Sequence, residues 1–580
     1  MGSFLNLKRR LCATAELALA ASVLLSGCGQ AGARPGRIEP ADAATRRTVP
    51  FSRMEIGPAD GDALAEELRA LAERVDDAES LDQLLEWEEA LNDHSEQFYT
   101  SSSLAQLATY LNTSDEQARE RNEVFSSQSE EVSSAAVEYL RAVLESDLAD
   151  EYLKDAGPYV AEVMQTQVKT NDPAALEYLQ KRTELDNEYN DKLSNLRVTI
   201  NGEEWRMQDV LVSEELTPEQ VVQALADYYL GNYREFGELY LEMIALDKKA
   251  AAACGYDNAA EWRYDQFGRD YSPDDALELC EEIKRELVDL NAAVMYDGTV
   301  ELEVELEDGE AAVAGVVSGA DPLLGECWEF MQKNELFSFA PSAEKMSGIG
   351  FTTTLSAYDA PFVYTYWSGG LSDAYTMLHE FGHACDEYAQ FGNEAYQQDL
   401  DKCETFSQGL EQVLSAPLAE ALGADPAEVR RSQLVDLTSV LVYQAALEEF
   451  QLRAYELEAD ATPEDLCFLY ADVLSDYGYP SIFGQADPTW FEVTHLFDAP
   501  FYTISYVTSA TAALELGRME QEQEGAGLAA WLQLLHTDRN QSFEDFLESA
   551  GIASPFEQGR IAACADFLAG ELEDQLDAAA

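Results

Sequence analysis

Apolar residues recur at three- and four-residue intervals over stretches such as 63–75 and 134–148, with charged positions between them, which predicts a helical lobe over 58–200. The pattern breaks at residues 198–205 (VTINGEEW), where two short β-prone runs flank Asn201-Gly202, the pair favoured in a type I′ hairpin. A domain boundary near 200 follows. Beyond it, Thr217-Pro218-Glu219, Ser272-Pro273-Asp274 and Thr462-Pro463-Glu464 each set an N-cap residue before a proline at the first helical position, with acid in the first turn. The second region, 201–580, is therefore mostly helical too. The exception is 361–370 (PFVYTYWSGG), where Phe362, Tyr364 and Tyr366 alternate with Val363, Thr365 and Trp367 before Gly369-Gly370, predicting a strand and a flexible loop. Directly after it, Ala374, Met377, Leu378, Phe381, Cys385 and Tyr388 form a stripe of helical period. The fold class expected is mainly α, with a small β-sheet beside that helix.

At 580 residues the chain exceeds what one core serves, so two or more lobes are expected. With 36 Lys+Arg against 111 Asp+Glu, the formal charge of −75 excludes binding a phosphate backbone, and with it nucleic acid as a partner. Residues 1–28 carry Lys8, Arg9 and Arg10 ahead of an apolar stretch too short for a comfortable membrane span, which marks an export signal. It ends in Leu25-Ser26-Gly27-Cys28, which resembles the lipobox of bacterial lipoproteins and implies a chain anchored by lipid on Cys28 at the extracytoplasmic face of the membrane. Residues 29–57, rich in Ala, Gly, Pro and Arg, are expected to form a flexible tether. Seven cysteines remain without CxxC spacing, so neither a disulfide framework nor a cysteine metal site is legible.

The segment 379–383 reads HEFGH. His379 and His383 stand four residues apart, about 6 Å of helical rise, so both imidazoles face one way. With only 5 His in the chain, HExxH is expected by chance about 0.005 times, so coincidence is a poor explanation. Two imidazoles and one carboxylate suit a tetrahedral zinc ion with a position left for water, one ion per chain, and Glu380 is placed to act as base toward that water. Spacing alone does not choose the third ligand among the many acids downstream. On a helix, Glu404, Ser407 and Glu411 of ETFSQGLE share one face. Cys385 and Cys403 adjoin these residues and read as buried thiols of the core. Farther on, His495 opens HLFDAPFYTISY; Pro500 can begin a helix on which Tyr502 and Tyr506 project together, a pattern that also describes a core aromatic stripe.

HEFGH followed by E-x-x-S-Q-x-x-E resembles the thimet oligopeptidase and oligoendopeptidase F family of zinc metallopeptidases. Residues 350–383 and about 230–275 are similar to its oligoendopeptidase F branch, so that the likeness covers much of 200–575. The resemblance implies Glu404 as third zinc ligand, with Glu411 or Glu387 the acids that would otherwise serve, and Glu411 as a group orienting a ligand. It also implies that Tyr506, Tyr502 and His495 assist at the developing oxyanion. A deep channel between two helical lobes is implied, in which an extended short peptide lies along the strand at 361–367. Tyr364 and Tyr366 would contact that peptide, and Gly369 and Gly370 would form a mobile lip. The function implied is zinc-dependent endopeptidase action on short peptides. A carboxydipeptidase of the same fold and a peptide-binding lipoprotein without catalysis are the alternatives, and the oligomeric state is left open.

Overall fold

A computed structural model describes residues 46–573 apart from 214, 296–299, 301 and 392–398; the export segment, Cys28 and residues 29–45 of the expected tether lie outside the described residues. The chain is mainly α, as the helical periodicity predicts. Thr217, Ser272 and Thr462 each cap a helix with a reciprocal side-chain bond from the third helical residue, and Pro218, Pro273 and Pro463 each begin that helix. The hairpin also forms: Ile200 pairs with Glu203 across Asn201 and Gly202, both at positive φ (55° and 90°), the requirement of a type I′ turn.

Packing against the body reaches earlier in the chain than expected. Arg46 lies with its guanidinium over the rings of Tyr388 (4.1 Å) and Phe391 (4.6 Å) and donates to the carbonyls of Asp359 (3.1 Å) and Tyr388 (2.5 Å). Arg47 pairs with Asp359 at 2.6 Å. Tyr388 belongs to the last turn of the HEFGH helix, Leu371–Gln390, so a cation caps the carbonyl end where the helix dipole is negative. Residues 46–57 are thus a packed strap, and the expectation of a tether through residue 57 is corrected. Cation–aromatic and side chain–carbonyl contacts leave no periodic trace in a sequence.

Helices Gly61–Ala72, Leu81–Leu111 and Glu116–Glu145 enclose a small core of their own around Leu64, Leu68, Phe98, Phe125 and Val132. Two larger cores follow. One gathers residues 175–294, 434–514 and 561–572; the other gathers 304–429 and 512–552 together with Leu104, Leu107 and Tyr110. Helix Leu176–Asn195 and the hairpin, through Tyr189, Val198 and Ile200, are part of the first of these, so the cores do not divide at residue 200. A hairpin marks a turn, and its neighbours in space decide which core it joins. Helix Thr503–Glu522 reaches both large cores, Ile504 and Val507 in one and Ala512 and Leu516 in the other, and packs along helix Leu400–Leu422.

The sheet beside the HEFGH helix has the order Phe337–Ser338, Ala360–Tyr364, Phe351–Leu355, with the first pair parallel and the second antiparallel. The strand anticipated at 361–367 is therefore the central one, wholly buried and paired on both sides, and offers no edge to a peptide. Phe351–Leu355 is an edge strand of this sheet. Side chains alternate across the sheet: Phe351 and Tyr364 stack at 5.1 Å on the face toward Tyr110, whereas Thr352 turns to the HEFGH helix. Among the described residues no helix is long and apolar enough to cross a membrane.

Candidate metal centre

The N-terminus of helix Leu371–Gln390 is set by Asp373, whose carboxylate accepts the backbone N–H groups of Ser368 (2.8 Å), Gly369 (2.7 Å) and Gly370 (2.9 Å). These three donors belong to the loop that ends at the N-cap Gly370, and the first helical N–H, that of Leu371, donates to the Leu302 carbonyl at 2.9 Å. Gly369, at φ 103°, also accepts from the Val304 N–H at 3.0 Å. This loop is pinned at several points and lies about 14 Å along the helix from His379, so Gly369 and Gly370 are a structural cap and not the expected mobile lip. Tyr364 is likewise corrected. It is buried, its hydroxyl donates to the carbonyls of Tyr110 (3.0 Å) and Met346 (2.8 Å), and it faces away from the HEFGH helix. Tyr366 is half-buried and lies beyond the end of the strand.

Two turns into the helix, His379, Glu380 and His383 meet the Glu404 helix. One nitrogen from each histidine and one Glu404 oxygen lie within 4.8 Å of one another, with His379 Nε2 3.6 Å and His383 Nε2 3.9 Å from Glu404 Oε2. The crossing is close because position 382 is glycine: a Cβ there would stand 2.8 Å from the Phe406 carbonyl oxygen and 2.8 Å from Ser407 Cα. The predicted shared face of ETFSQGLE is turned to this spot. Ser407 Oγ donates to Glu404 Oε2 at 3.0 Å, and Glu411 Oε1 takes His379 Nδ1 at 2.7 Å, leaving Nε2 of that ring for a metal. Glu404, rather than Glu411 or Glu387, is the acid brought to the two histidines. Cys385 is buried in the core and Cys403 half-buried.

The electrostatics follow from three carboxylates in a dry place. Burial lifts the Glu380 carboxyl to about 7, against the opposing pull of His379 and of Thr352, whose hydroxyl donates to Glu380 Oε2 at 2.9 Å. Burial pushes His383 down to about 4. Burial also disfavours the His379 cation, yet the bond and charge of Glu411, with Glu404 and Glu380 behind them, together raise it to about 9. The carboxylates gathered around His379 favour positive charge at this spot, which fits a divalent cation. Two imidazoles and a carboxylate are the donor set of a catalytic zinc site.

One turn before Glu404 on the same helix face, Leu400 packs with Tyr502 and Tyr506. The His495 ring is 5.0 Å from that of Tyr502 and 6.2 Å from that of Tyr506, and the two tyrosines are 5.0 Å apart. Burial first, then Tyr506 and the Glu404 charge, hold the Tyr502 phenol well above its usual pKa, so it keeps its proton and stays a donor. The trio singled out in the sequence is thus assembled beside the third ligand. Three contributors escaped sequence reasoning: Thr352, Gly382 and Gly350, where a Cβ would lie 3.1 Å from Glu380 Oε1. Only Gly382 carried a readable signal, since a glycine inside a helix costs about 1 kcal/mol and asks for a close approach in return.

No curated protein matches the chain by sequence. Residues 51–171 match the peptidase M3 N-terminal domain. Among solved structures, a protein assigned as an oligoendopeptidase F superposes with TM-score 0.78 at 23% identity, covering 91% of this chain and 99% of that one. PZ peptidase A, solved with an inhibitor, gives 0.78 at 19% identity over 90% and 99%. A protein from Bacillus anthracis assigned as an oligoendopeptidase F gives 0.75 at 20% over 91% and 98%. At these identities the likeness establishes the fold over nearly the whole chain.

Proposed function

We infer that this chain is a metallo-oligopeptidase of the peptidase M3 class, of the oligoendopeptidase F type, which hydrolyses peptide bonds in short peptides with one zinc ion per chain. The observation that carries the reading is the convergence of His379, His383 and Glu404 on one spot, with Glu380 between the two histidines in sequence. Held by those three residues, zinc would supply a Lewis acid that acidifies water and polarises the scissile carbonyl. Glu380 takes the proton of the attacking water and returns it to the leaving amine; Thr352 holds the carboxylate for this work. Tyr506 and Tyr502, with His495 beside them, donate hydrogen bonds to the oxyanion that develops at the carbonyl. Glu411 keeps the His379 ring turned with Nε2 toward the metal. The extended substrate adds along Phe351–Leu355, the edge strand whose Thr352 touches Glu380, and edge pairing through the backbone gives broad sequence tolerance.

The reading is tested with peptides of graded length, blocked or free at either end. Cleavage inside blocked peptides, abolished by a chelator and restored by zinc, is the expected result. Release of dipeptides from free C-termini alone would make the enzyme a carboxydipeptidase, and binding without chelator-sensitive turnover would remove the peptidase reading.

The segment Leu25-Ser26-Gly27-Cys28 supports export and lipid anchoring at the extracytoplasmic membrane face. Cys28→Ser is expected to move the protein from the membrane fraction to the soluble fraction with its peptidase activity intact. An unchanged membrane fraction would assign the attachment to some other segment.

A further inference from the structure

The helix that carries Tyr506 begins in an unusual way. Pro500 is a residue that readily opens helices, yet regular structure starts only at Thr503, because Phe501 adopts φ 69°, a left-handed conformation costly for a bulky aromatic side chain. Both polar groups of that strained residue are held by side chains from distant segments. Its N–H donates to Gln451 Oε1 at 2.7 Å, and its carbonyl accepts from Arg269 Nη2 at 2.7 Å; the same nitrogen reaches Ser505 Oγ at 3.1 Å. The Gln451 amide nitrogen donates to Thr503 Oγ1 at 2.9 Å, and that hydroxyl donates to Glu448 at 2.8 Å. The Arg269 guanidinium lies 4.4 Å over the Tyr264 ring, and the Phe501 ring is buried between Tyr264 (5.9 Å) and Tyr455 (4.7 Å).

The residue after this turn is Tyr502, and Tyr506 follows one helical turn later. Farther along the same helix, Thr508 Oγ1 donates to Asp401 Oδ1 at 2.6 Å, on the helix that presents Glu404. The tyrosine helix is therefore fastened at its strained start and again to the metal-ligand helix. An unstrained start at Pro500 would rotate Tyr502 away from its present direction.

We propose that Arg269 and Gln451 are positioning residues that act through Phe501 to aim Tyr502 and Tyr506 at the reacting carbonyl. This rests on the peptidase reading above. Arg269→Lys keeps the charge but lacks the guanidinium plane that lies 4.4 Å over the Tyr264 ring and brings Nη2 to both the Phe501 carbonyl and the Ser505 hydroxyl. Its kcat is expected to fall about 30-fold, with KM within about twofold and zinc content unchanged, since a misaimed donor is lost only in the transition state. In a Tyr506→Phe background, itself down about 100-fold, the same change should cost clearly less, under about tenfold, because the Tyr506 bond cannot be lost twice and only Tyr502 remains to be misaimed.

A kcat within about threefold of wild type for Arg269→Lys, or losses that multiply undiminished in the double variant, overturns the proposal. Should Arg269→Lys lose zinc or its native circular dichroism, Ser505→Ala removes only the shared hydroxyl and is expected to lower kcat about fivefold with the same non-additivity; full additivity there overturns it equally. A wild-type protein that cleaves no peptide removes the peptidase reading itself. One that cleaves, suffers from Tyr506→Phe and ignores Arg269→Lys removes the positioning role alone.

Discussion

Glu380→Gln is expected to lower kcat by about three orders of magnitude while the metal stays bound, the usual scale for loss of a positioned general base. The separation of the two effects follows from geometry. Gln has the volume of Glu, and its amide oxygen can accept the Thr352 hydroxyl bond that Glu380 Oε2 accepts at 2.9 Å. His379, His383 and Glu404, which form the metal cluster, are untouched. Only proton acceptance is lost, from a carboxyl whose burial places it near 7, where a base is most effective at neutral pH. Steady-state kinetics alongside zinc analysis decides the matter. A variant that binds zinc and keeps kcat within tenfold of wild type would move the base to another residue.

Gly382→Ala is the second large effect, and here the metal should go with the activity. The added methyl would meet the Phe406 carbonyl oxygen and Ser407 Cα, each at 2.8 Å, and both are backbone atoms of a helix that cannot swing aside as a side chain would. The two helices must part. Overpacking of this kind costs about 1–3 kcal/mol, offset in part by the better helix propensity of Ala. The shift falls on the residue before His383 and two residues past Glu404, so it separates the ligands from each other. Zinc affinity is expected to drop at least about tenfold, read by competition with a chromogenic chelator, and thermal unfolding should come earlier. Wild-type affinity with wild-type stability would show that the crossing has slack that the structure does not suggest.

The metal helix was readable because its evidence is local. His379 and His383 share a face through the helical period, and Leu378, Phe381 and Cys385 place the core beside that face. Capping at Thr217, Ser272 and Thr462 is local in the same sense, since a hydroxyl and, three residues on, Gln220, Asp275 or Asp465 complete the motif without help from the rest of the chain. Asp373 was local too, three residues beyond Gly370, and reading it as the acceptor for that loop would have removed the idea of a mobile lip. Glu404 was different: its spacing singled out a helix face, and the resemblance, not the spacing, pointed to a ligand.

What the sequence determined by itself was the helical class, the type I′ turn at Asn201-Gly202, and the set of side chains able to hold zinc and move a proton. Tertiary structure decided which of them meet. It put Ala360–Tyr364 in the middle of its sheet and Phe351–Leu355 at the edge, turned Tyr364 into the core, packed Arg46 under the end of the metal helix and bent Phe501 left-handed ahead of the tyrosines. The physical reason is range. Periodicity and capping come from bonds between residues a few positions apart, whereas the choice of buried face, sheet edge and ligand pair rests on contacts across hundreds of residues, which only the packed chain brings together.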